Sequence, residues 1–367
     1  MSRCRALWSA FLPALILSAA VAGCGPTAPA PAVVAVAAPR DEPPLTSVTP
    51  TCAPTFTPTV RPPTSTPTLV PTRTPTPMPS PTRAAPIARP VAVVVENDPA
   101  ARPQTGLLAA DVVYEAVAEW DLSRFVAVFT DGDASKVGPV RSARAYHAAA
   151  AGEYGAVFAH CLDVPPVGAV VVQSKVRDFD GCRMQSPPGF DRDASRPAPH
   201  NLYVSVAEVR RAAGGGGTYG AFGRRADWPD GTVTDSPVSR ISFVYPEDHP
   251  VEWHYDVERR EYLRWQDGEP HLLSDGAQMA ASAVVVQVVD VRHSAYFGEA
   301  RYHEVTTTGS GEAVVYAAGG KRAATWKRPS LAEPTRFVDA SGAEVLLPPG
   351  RVFAQLVERG TKLSETR

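Results

Sequence analysis

Two arginines three residues apart form the first group of side chains that could carry chemistry. Arg141, Ser142 and Arg144 follow the break at Gly138-Pro139 and open the best helix candidate, residues 141–153. A helix start favours an anion, because its free backbone N–H groups and the helix dipole face it. Guanidinium groups there could bind a carboxylate or a phosphate at two points.

Three acidic residues, Asp111, Glu115 and Glu119, recur at a spacing of four in the segment 111–120. We predict a strand there, and an even spacing on a strand keeps side chains on one face of the sheet. Carboxylates on a face shared with Arg124 could act as acid and base, since one charge raises the pKa of the other. The alternative is a solvated or salt-bridged sheet face, in which these carboxylates could pair with Arg141 and Arg144.

His200 and Asn201 lie in the motif Pro199-His200-Asn201-Leu202-Tyr203, ahead of a predicted helix. This pair could be a general base with an orienting amide or a loop that holds a ligand. The alternative is a histidine that only fixes a turn through hydrogen bonds. Ser142 and His200 lack the Gly-x-Ser-x-Gly elbow of a serine hydrolase, so the sequence does not support that pair as nucleophile and base.

Cys161 and Cys182 are the cysteines of the first folded region. An exported protein would allow them to form a disulfide, which would contribute about 3 kcal/mol for a loop of roughly 20 residues. His160 and Cys161 are adjacent on a predicted strand and point to opposite faces, which excludes a cysteine hydrolase. No Cys/His spacing is typical of zinc, and we expect neither a metal nor a cofactor.

The N-terminus follows the plan of a lipoprotein signal peptide, residues 1–23. Arg3 and Arg5 precede an apolar run, and the motif 21–24 (Val-Ala-Gly-Cys) resembles the lipobox of bacterial lipoproteins. The thiol of Cys24 would accept the lipid, and diacylation gives stable anchoring. We therefore predict a palmitate-type lipid anchor on the extracytoplasmic face of the cell membrane.

Residues 24–90 have the composition of a disordered stalk. Nineteen of the chain's 38 prolines lie there, in units such as Val-Pro-Thr-Arg-Thr-Pro-Thr-Pro at 70–77. Proline removes a backbone donor and favours extended polyproline II, so the stalk could reach on the order of 200 Å. The formal net charge of −2 gives no reason to expect nucleic acid as a partner.

The folded part is predicted as two domains with an α+β fold class. The first domain, residues 91–235, is expected to be mixed α/β, with strands at 91–96, 111–120, 124–130 and 156–160 and helices at 141–153 and 205–213. The second, smaller domain, residues 236–360, is expected to be β-rich, because short apolar runs alternate there with turn dipeptides such as Asp267-Gly268.

Long segments of this folded part resemble the YerB-like lipoproteins. The resemblance runs through 97–107, the Ala-Asp-Val-Val-Tyr-Glu stretch at 110–115, 137–144 and 199–203, and in the second domain through 262–271 and 309–313. It covers roughly 90–360 and implies a two-domain bacterial lipoprotein without implying a particular chemistry. The chain departs from the family after His160, where it has Cys161-Leu162-Asp163-Val164-Pro165-Pro166 in place of a small Gly/Ser-rich turn.

We interpret the chain as a membrane-anchored binding module for an anionic cell-envelope ligand, either a glycan or a partner protein. The competing hypothesis is a cell-wall-directed hydrolase or transferase that uses His200 with Glu115 or Asp111 as its carboxylate. A third is an assembly factor for exported complexes. The docking candidates are Arg124, Arg141, Ser142, Arg144, His200 and Asn201.

Overall fold

Strand β1, Val91–Glu96, is buried along its whole length inside a ten-stranded sheet. Its residues are apolar except for Glu96, and such a run is typical of a strand covered on both faces. The computed structural model describes residues 89–119, 122–215, 237–245, 249–295 and 301–367, and all of them belong to one compact unit, Pro77–Arg367.

The ten-stranded sheet combines strands from both predicted domains. Strand β19 (Val352–Glu358) pairs in parallel with β2 (Val112–Val117), with Val352 beside Val112. This pairing joins the strands of the two predicted domains. Strand β3 (Ser123–Phe129) is antiparallel to β1. Strands β4 (Val157–His160) and β5 (Arg177–Asp180) lie on the other side of β1 and are parallel to it. In spatial order the strands are β18 (Arg336–Val338), β17 (Gly320–Arg328), β16 (Gly309–Ala317), β13 (Ala283–Val289), β19 (Val352–Glu358), β2 (Val112–Val117), β3 (Ser123–Phe129), β1, β4 (Val157–His160) and β5 (Arg177–Asp180).

A six-stranded sheet covers one face of the large sheet. Trp253 packs edge-on against Phe353 of β19 with ring centroids 4.8 Å apart, and both side chains are buried. Its strands are β11 (Glu269–Pro270), β10 (Glu261–Gln266), β9 (His249–Asp256), β8 (Arg240–Tyr245) and β20 (Ser364–Thr366), with β12 (Ala280–Ala281) also on β10. Two further pairs are β6 (Phe190–Arg192) with β7 (Leu202–Val204), and β14 (Val291–Ala295) with β15 (Arg301–Val305).

The described residues contain three short α-helices, α1 (Ala145–Glu153), α2 (Pro165–Gln173) and α3 (Val206–Ala213). Helix α1 lies against the other face of β2, where the Tyr146 hydroxyl donates to the carbonyl of Ala116 at 3.1 Å. The predicted start of this helix at residue 141 is wrong. Arg144 is extended, with φ −124°, because the preceding residue pairs with the chain that follows β4, so the helix begins at residue 145.

The predicted α+β class, with a mixed α/β first domain, is wrong because the described chain is mostly β. The two helices predicted there exist, but they are short, and the region also contains strands β5, β6 and β7, for which no strand was predicted. Strands from the predicted second domain also complete the first domain's sheet. Local periodicity does not show such pairing, because hydrogen bonds between distant segments decide it.

The leader 1–23, Cys24 and the stalk up to residue 88 lie outside the described residues, as does the predicted boundary at residue 235. The division into domains 91–235 and 236–360 therefore stays a prediction. Among the described residues, none of the helices has the length and apolar character needed to cross a membrane.

Candidate functional site

Three parallel strands, β1, β4 and β5, end side by side at one edge of the large sheet. Their last residues are Glu96, His160 and Asp180. The carboxyl ends of parallel strands are a common place for ligands, because the loops that follow leave a crevice there. Here the segments 141–144 and 193–201 run past this edge.

Glu96 holds two of the predicted docking residues through separate oxygens. Its Oε1 accepts from Nε of Arg141 at 2.7 Å, and its Oε2 lies 2.9 Å from Nδ1 of His200. The Glu96 side chain is only 3% exposed, against 28% for Arg141 and 16% for His200. A buried carboxylate therefore orients two side chains that reach solvent.

The backbone around this group is also fixed. The N–H of Arg141 donates to the carbonyl of Val94 on β1 at 3.1 Å, and the carbonyl of Arg141 accepts from the N–H of Cys161 at 3.1 Å. The loop that carries His200 is closed by the N–H of Asp193, which donates to the carbonyl of Asn201 at 2.8 Å. Both functional side chains thus project from backbone that is tied to the sheet or to itself.

The contact with Glu96 determines the tautomer of His200. Because a carboxylate only accepts, the proton of the imidazole lies on Nδ1, and Nε2 is left as an acceptor. Nε2 has no partner among the described residues, and neither have the two terminal nitrogens of Arg141. The guanidinium fork of Arg141 suits an oxyanion, and the imidazole acceptor of His200 beside it suits a hydroxyl group.

Arg124, Ser142 and Arg144 lie together on the α1 side of the sheet and are largely buried. Arg124 donates to the carbonyl of Ser142 at 2.8 Å and lies 3.3 Å from Glu119, and Arg144 also pairs with Glu119. Burial lowers the pKa of Arg144 to about 10 and also lowers the pKa of Arg124. These arginines brace the fold below the site, and their ion pairs with Glu119 are of the kind that the salt-bridge alternative predicted.

Asn201 belongs to the loop rather than to the group around Glu96. Its Oδ1 accepts from Arg192 at 2.8 Å, and its Nδ2 donates to the carbonyl of Arg196 at 3.3 Å. Arg196 in turn donates to the Tyr203 hydroxyl at 2.9 Å. Asn201 therefore positions the His200 loop, and both ends of its side-chain amide are used in these hydrogen bonds.

The acidic residues of the hydrolase hypothesis lie elsewhere. Glu115 is fully buried under the six-stranded sheet, where Arg264 lies 2.9 Å from its carboxylate. Asp111 accepts from the Thr130 N–H at 2.7 Å and fixes a turn. The predicted common face for Asp111, Glu115 and Glu119 does not exist, because β2 ends at Val117 and the alternation stops there.

The carboxylate that sequence reasoning missed is Glu96. A signal was present, because Glu96 is the only charged residue of an apolar run and stands directly before the turn Asn97-Asp98-Pro99. A charged residue that closes a buried strand either solvates the strand end or contacts a functional group. Glu96 contacts Arg141 and His200, two of the predicted docking residues.

Cys161 and Cys182 form the proposed disulfide, with their Cα atoms 4.9 Å apart. Cys161 directly follows β4 and Cys182 lies two residues after the end of β5, so the disulfide joins the ends of two adjacent strands beside Arg141. Within the described ranges no cluster of three or more His, Cys, Asp or Glu side chains is arranged to hold a metal ion.

Comparison with protein families matches two regions of this chain. Residues 75–218 match the family described as "Protein of unknown function (DUF3048) N-terminal domain", and residues 241–354 match its C-terminal domain. The chain is also 40% identical over 124 residues to "Putative lipoprotein YerB" of Bacillus subtilis (strain 168). That match covers 34% of this chain and 37% of the relative, so it spans little more than a third of the relative's length.

Among solved structures, the crystal structure of the YerB protein from Bacillus subtilis is similar in fold. The TM-score is 0.64 at 24% sequence identity, and the likeness covers 76% of this chain and 94% of that one. At this identity the likeness bears on the fold alone.

Proposed function

This chain belongs to the DUF3048 family, as the YerB-like resemblance predicted, and from that premise we propose that it is a lipid-anchored, extracytoplasmic module that binds an anionic cell-envelope ligand. The anchoring part of the proposal is supported by the lipobox-like residues 21–24 and by the name of the relative, a lipoprotein. Cys24 would carry the lipid, and the proline-rich stalk would hold the module away from the membrane.

The binding part depends on the way Glu96 holds Arg141 and His200. Glu96 and Arg141 are opposite in charge, but the carboxylate is buried whereas the guanidinium is partly exposed. A ligand at this edge of the sheet therefore meets the cation and not the anion. Because Nε of Arg141 is fixed on Glu96, the side chain loses little rotamer freedom on binding, which favours affinity.

The geometry favours a ligand that carries carboxylate or phosphate groups. A guanidinium binds two oxygens of such a group at once, and the Nε2 acceptor of His200 can take a hydrogen bond from a hydroxyl group of the ligand beside it. Polymers with repeated anionic groups would bind at many positions along their length, which raises the effective concentration at a single site. Envelope glycans and acidic proteins both meet this description.

The test uses the mature full chain and two immobilised probes, poly(glycerol phosphate) for phosphate and polygalacturonate for carboxylate. We expect Arg141→Ala to weaken binding of at least one probe by about tenfold, the loss of roughly one charge-assisted hydrogen-bond pair. Arg211→Ala is the matched control, because Arg211 is exposed on α3 and the substitution removes the same charge. Equal losses in both variants, or none in either, would refute the proposal.

A hydrolase or transferase is the second candidate, and one observation favours it. A carboxylate on Nδ1 with a free Nε2 is the arrangement that orients a histidine as a general base. In this arrangement the carboxylate beside His200 is Glu96, whereas the sequence-based hypothesis paired His200 with Glu115 or Asp111. If this candidate is correct, the purified chain cleaves or modifies labelled wall fragments, and His200→Ala abolishes turnover while the probes above still bind. Glu96→Gln should abolish turnover as well. Turnover that survives His200→Ala would exclude this role.

A further inference from the structure

A second concave surface lies on the β6–β7 hairpin, beside the group around Glu96. It is a pocket of about 430 Å³ whose lining includes Ser135, Lys136, Asp191, Arg192, Asp193 and Tyr203. Pockets that bind small ligands span roughly 300–1,000 Å³, so this one has room for a short oligosaccharide. Neither the docking role nor the family resemblance assigns a role to it.

The walls of the pocket are held in place. The hairpin pairs Asp191 with Tyr203, and the neighbouring segment joins it through two hydrogen bonds between Val137 and Val204, at 2.8 and 3.0 Å. Lys136 lies 4.3 Å above the Tyr203 ring, and its Nζ is 2.5 Å from Asp193. The hairpin backbone, Lys136 and Asp193 are therefore held in place before any ligand arrives.

The charges of the lining balance. Lys136 and Arg192 are cations, Asp191 and Asp193 are carboxylates, and the formal sum of these four groups is zero. Hydrogen bonds from Lys136 and Ser195 lower the pKa of Asp193, so it stays ionised and paired. A balanced lining gives no net attraction for a charged ligand, which separates this pocket from the group around Arg141.

The hydrogen-bonding groups include both donors and acceptors. Asp191 is exposed, and its carboxylate has no partner among the residues that the structure describes. The same holds for the Ser135 hydroxyl, which also lines the pocket. Sugar hydroxyl groups donate and accept at once, so they match a lining that contains a free carboxylate as well as hydroxyl and cationic donors.

From these observations we propose that the pocket between Ser135 and Asp191 binds a neutral sugar, with Asp191 as the main acceptor. Arg192 lines the pocket and donates at 2.8 Å to Asn201, the residue after His200. The sugar pocket therefore adjoins the anion-binding group. An envelope polysaccharide could place a neutral sugar in one and an anionic substituent in the other.

The experiment titrates the mature full chain with tri-N-acetylchitotriose and with cellotriose, and follows amide shifts by NMR and heat by calorimetry. We expect saturable binding of at least one sugar, with shifts at the β6–β7 hairpin. Asp191→Ala should weaken that binding by about tenfold, and Asp191→Asn should weaken it less, because an amide still accepts. Asp131→Ala is the matched control, an exposed aspartate in a loop whose loss should change nothing.

The outcomes also separate this proposal from the anion-binding one. Arg141→Ala should leave sugar affinity unchanged, and Asp191→Ala should leave binding of the anionic probes unchanged. If neither sugar binds saturably, or if Asp191→Ala and Asp131→Ala bind the sugars equally well, the pocket is not a sugar site. That result would not affect the role of Arg141, which its own probes test.

Discussion

The Glu115 carboxylate and the Arg264 guanidinium, 149 residues apart in the chain, form an ion pair in which both side chains are fully buried. One nitrogen of Arg264 lies 2.9 Å from both oxygens of Glu115, and Ser123 donates to the same carboxylate at 2.5 Å. The pair joins the ten-stranded sheet to the six-stranded one. Its role is therefore structural, although the sequence marked Glu115 as a candidate acid or base.

Removing one partner of this pair should destabilise the fold strongly. We expect Glu115→Gln to lower the free energy of unfolding by about 3–5 kcal/mol, because it leaves the Arg264 charge buried and unpaired. Glu304→Gln breaks an exposed pair with Arg292 and should cost about 0–1 kcal/mol. Urea unfolding of the two variants measures the difference. Similar midpoints for both would contradict the structural role.

Two buried histidines predict lower stability in mild acid. Burial, followed by the charge of Arg264, holds the pKa of His271 well below its usual range. Burial, followed by the charges of Arg124 and Arg144, does the same for His147. Below about pH 6.5 the unfolded chain takes up these protons and the folded chain does not. The free energy of unfolding should then fall by up to about 1.4 kcal/mol per pH unit for each histidine.

The measurement is chemical unfolding between pH 7 and pH 5, with His271→Gln as the comparison. A glutamine side chain does not take up a proton in this range, so that variant should lose stability less steeply as the pH falls.

His160 has the opposite effect on the free energy of unfolding, and its effect falls at higher pH. Burial alone would lower its pKa, but the hydrogen bond to Asp178 and the nearby carboxylates raise it, so its contribution is complete below about pH 6.5 and is lost as the pH rises further. A free energy of unfolding that stays constant between pH 7 and pH 5 would contradict the low pKa of His271 and His147.

Loss of the disulfide should loosen the edge of the sheet that carries the site. We expect Cys161→Ser with Cys182→Ser to lower the free energy of unfolding by about 3 kcal/mol, as the chain-entropy estimate predicts. The pairing itself is tested by gel migration before and after reduction, with mass mapping of the linked peptides. Two free thiols in the native chain would disprove it.

Lipid attachment should depend on Cys24 alone. Cys24→Ser removes the acceptor thiol, and we expect the chain to lose labelling with a palmitate analogue and to leave the membrane fraction. Cys52→Ser makes the same substitution in the predicted stalk and should change neither result. Labelling that survives Cys24→Ser, or that disappears with Cys52→Ser, would show that the lipobox has been misread.

Much of the local structure was predictable because it depends on neighbouring residues. The apolar run at β1 and the alanine-rich segment of α1 are recognised from composition and spacing, and both elements exist. The same reasoning placed the start of α1 four residues too early. Ala143 pairs with Asp163 after β4 and keeps Arg144 extended, and a sequence pattern does not contain that contact.

Residue type and spacing were enough to predict Arg141 and His200 as candidate site residues and Cys161 and Cys182 as a possible disulfide. The tertiary structure set the partner of each one. It gave Arg141 and His200 a common partner in Glu96 and placed Glu115 under a second sheet. The reason is physical, because residue type sets what a side chain can bind, whereas the pairing of distant strands sets which partner is within reach.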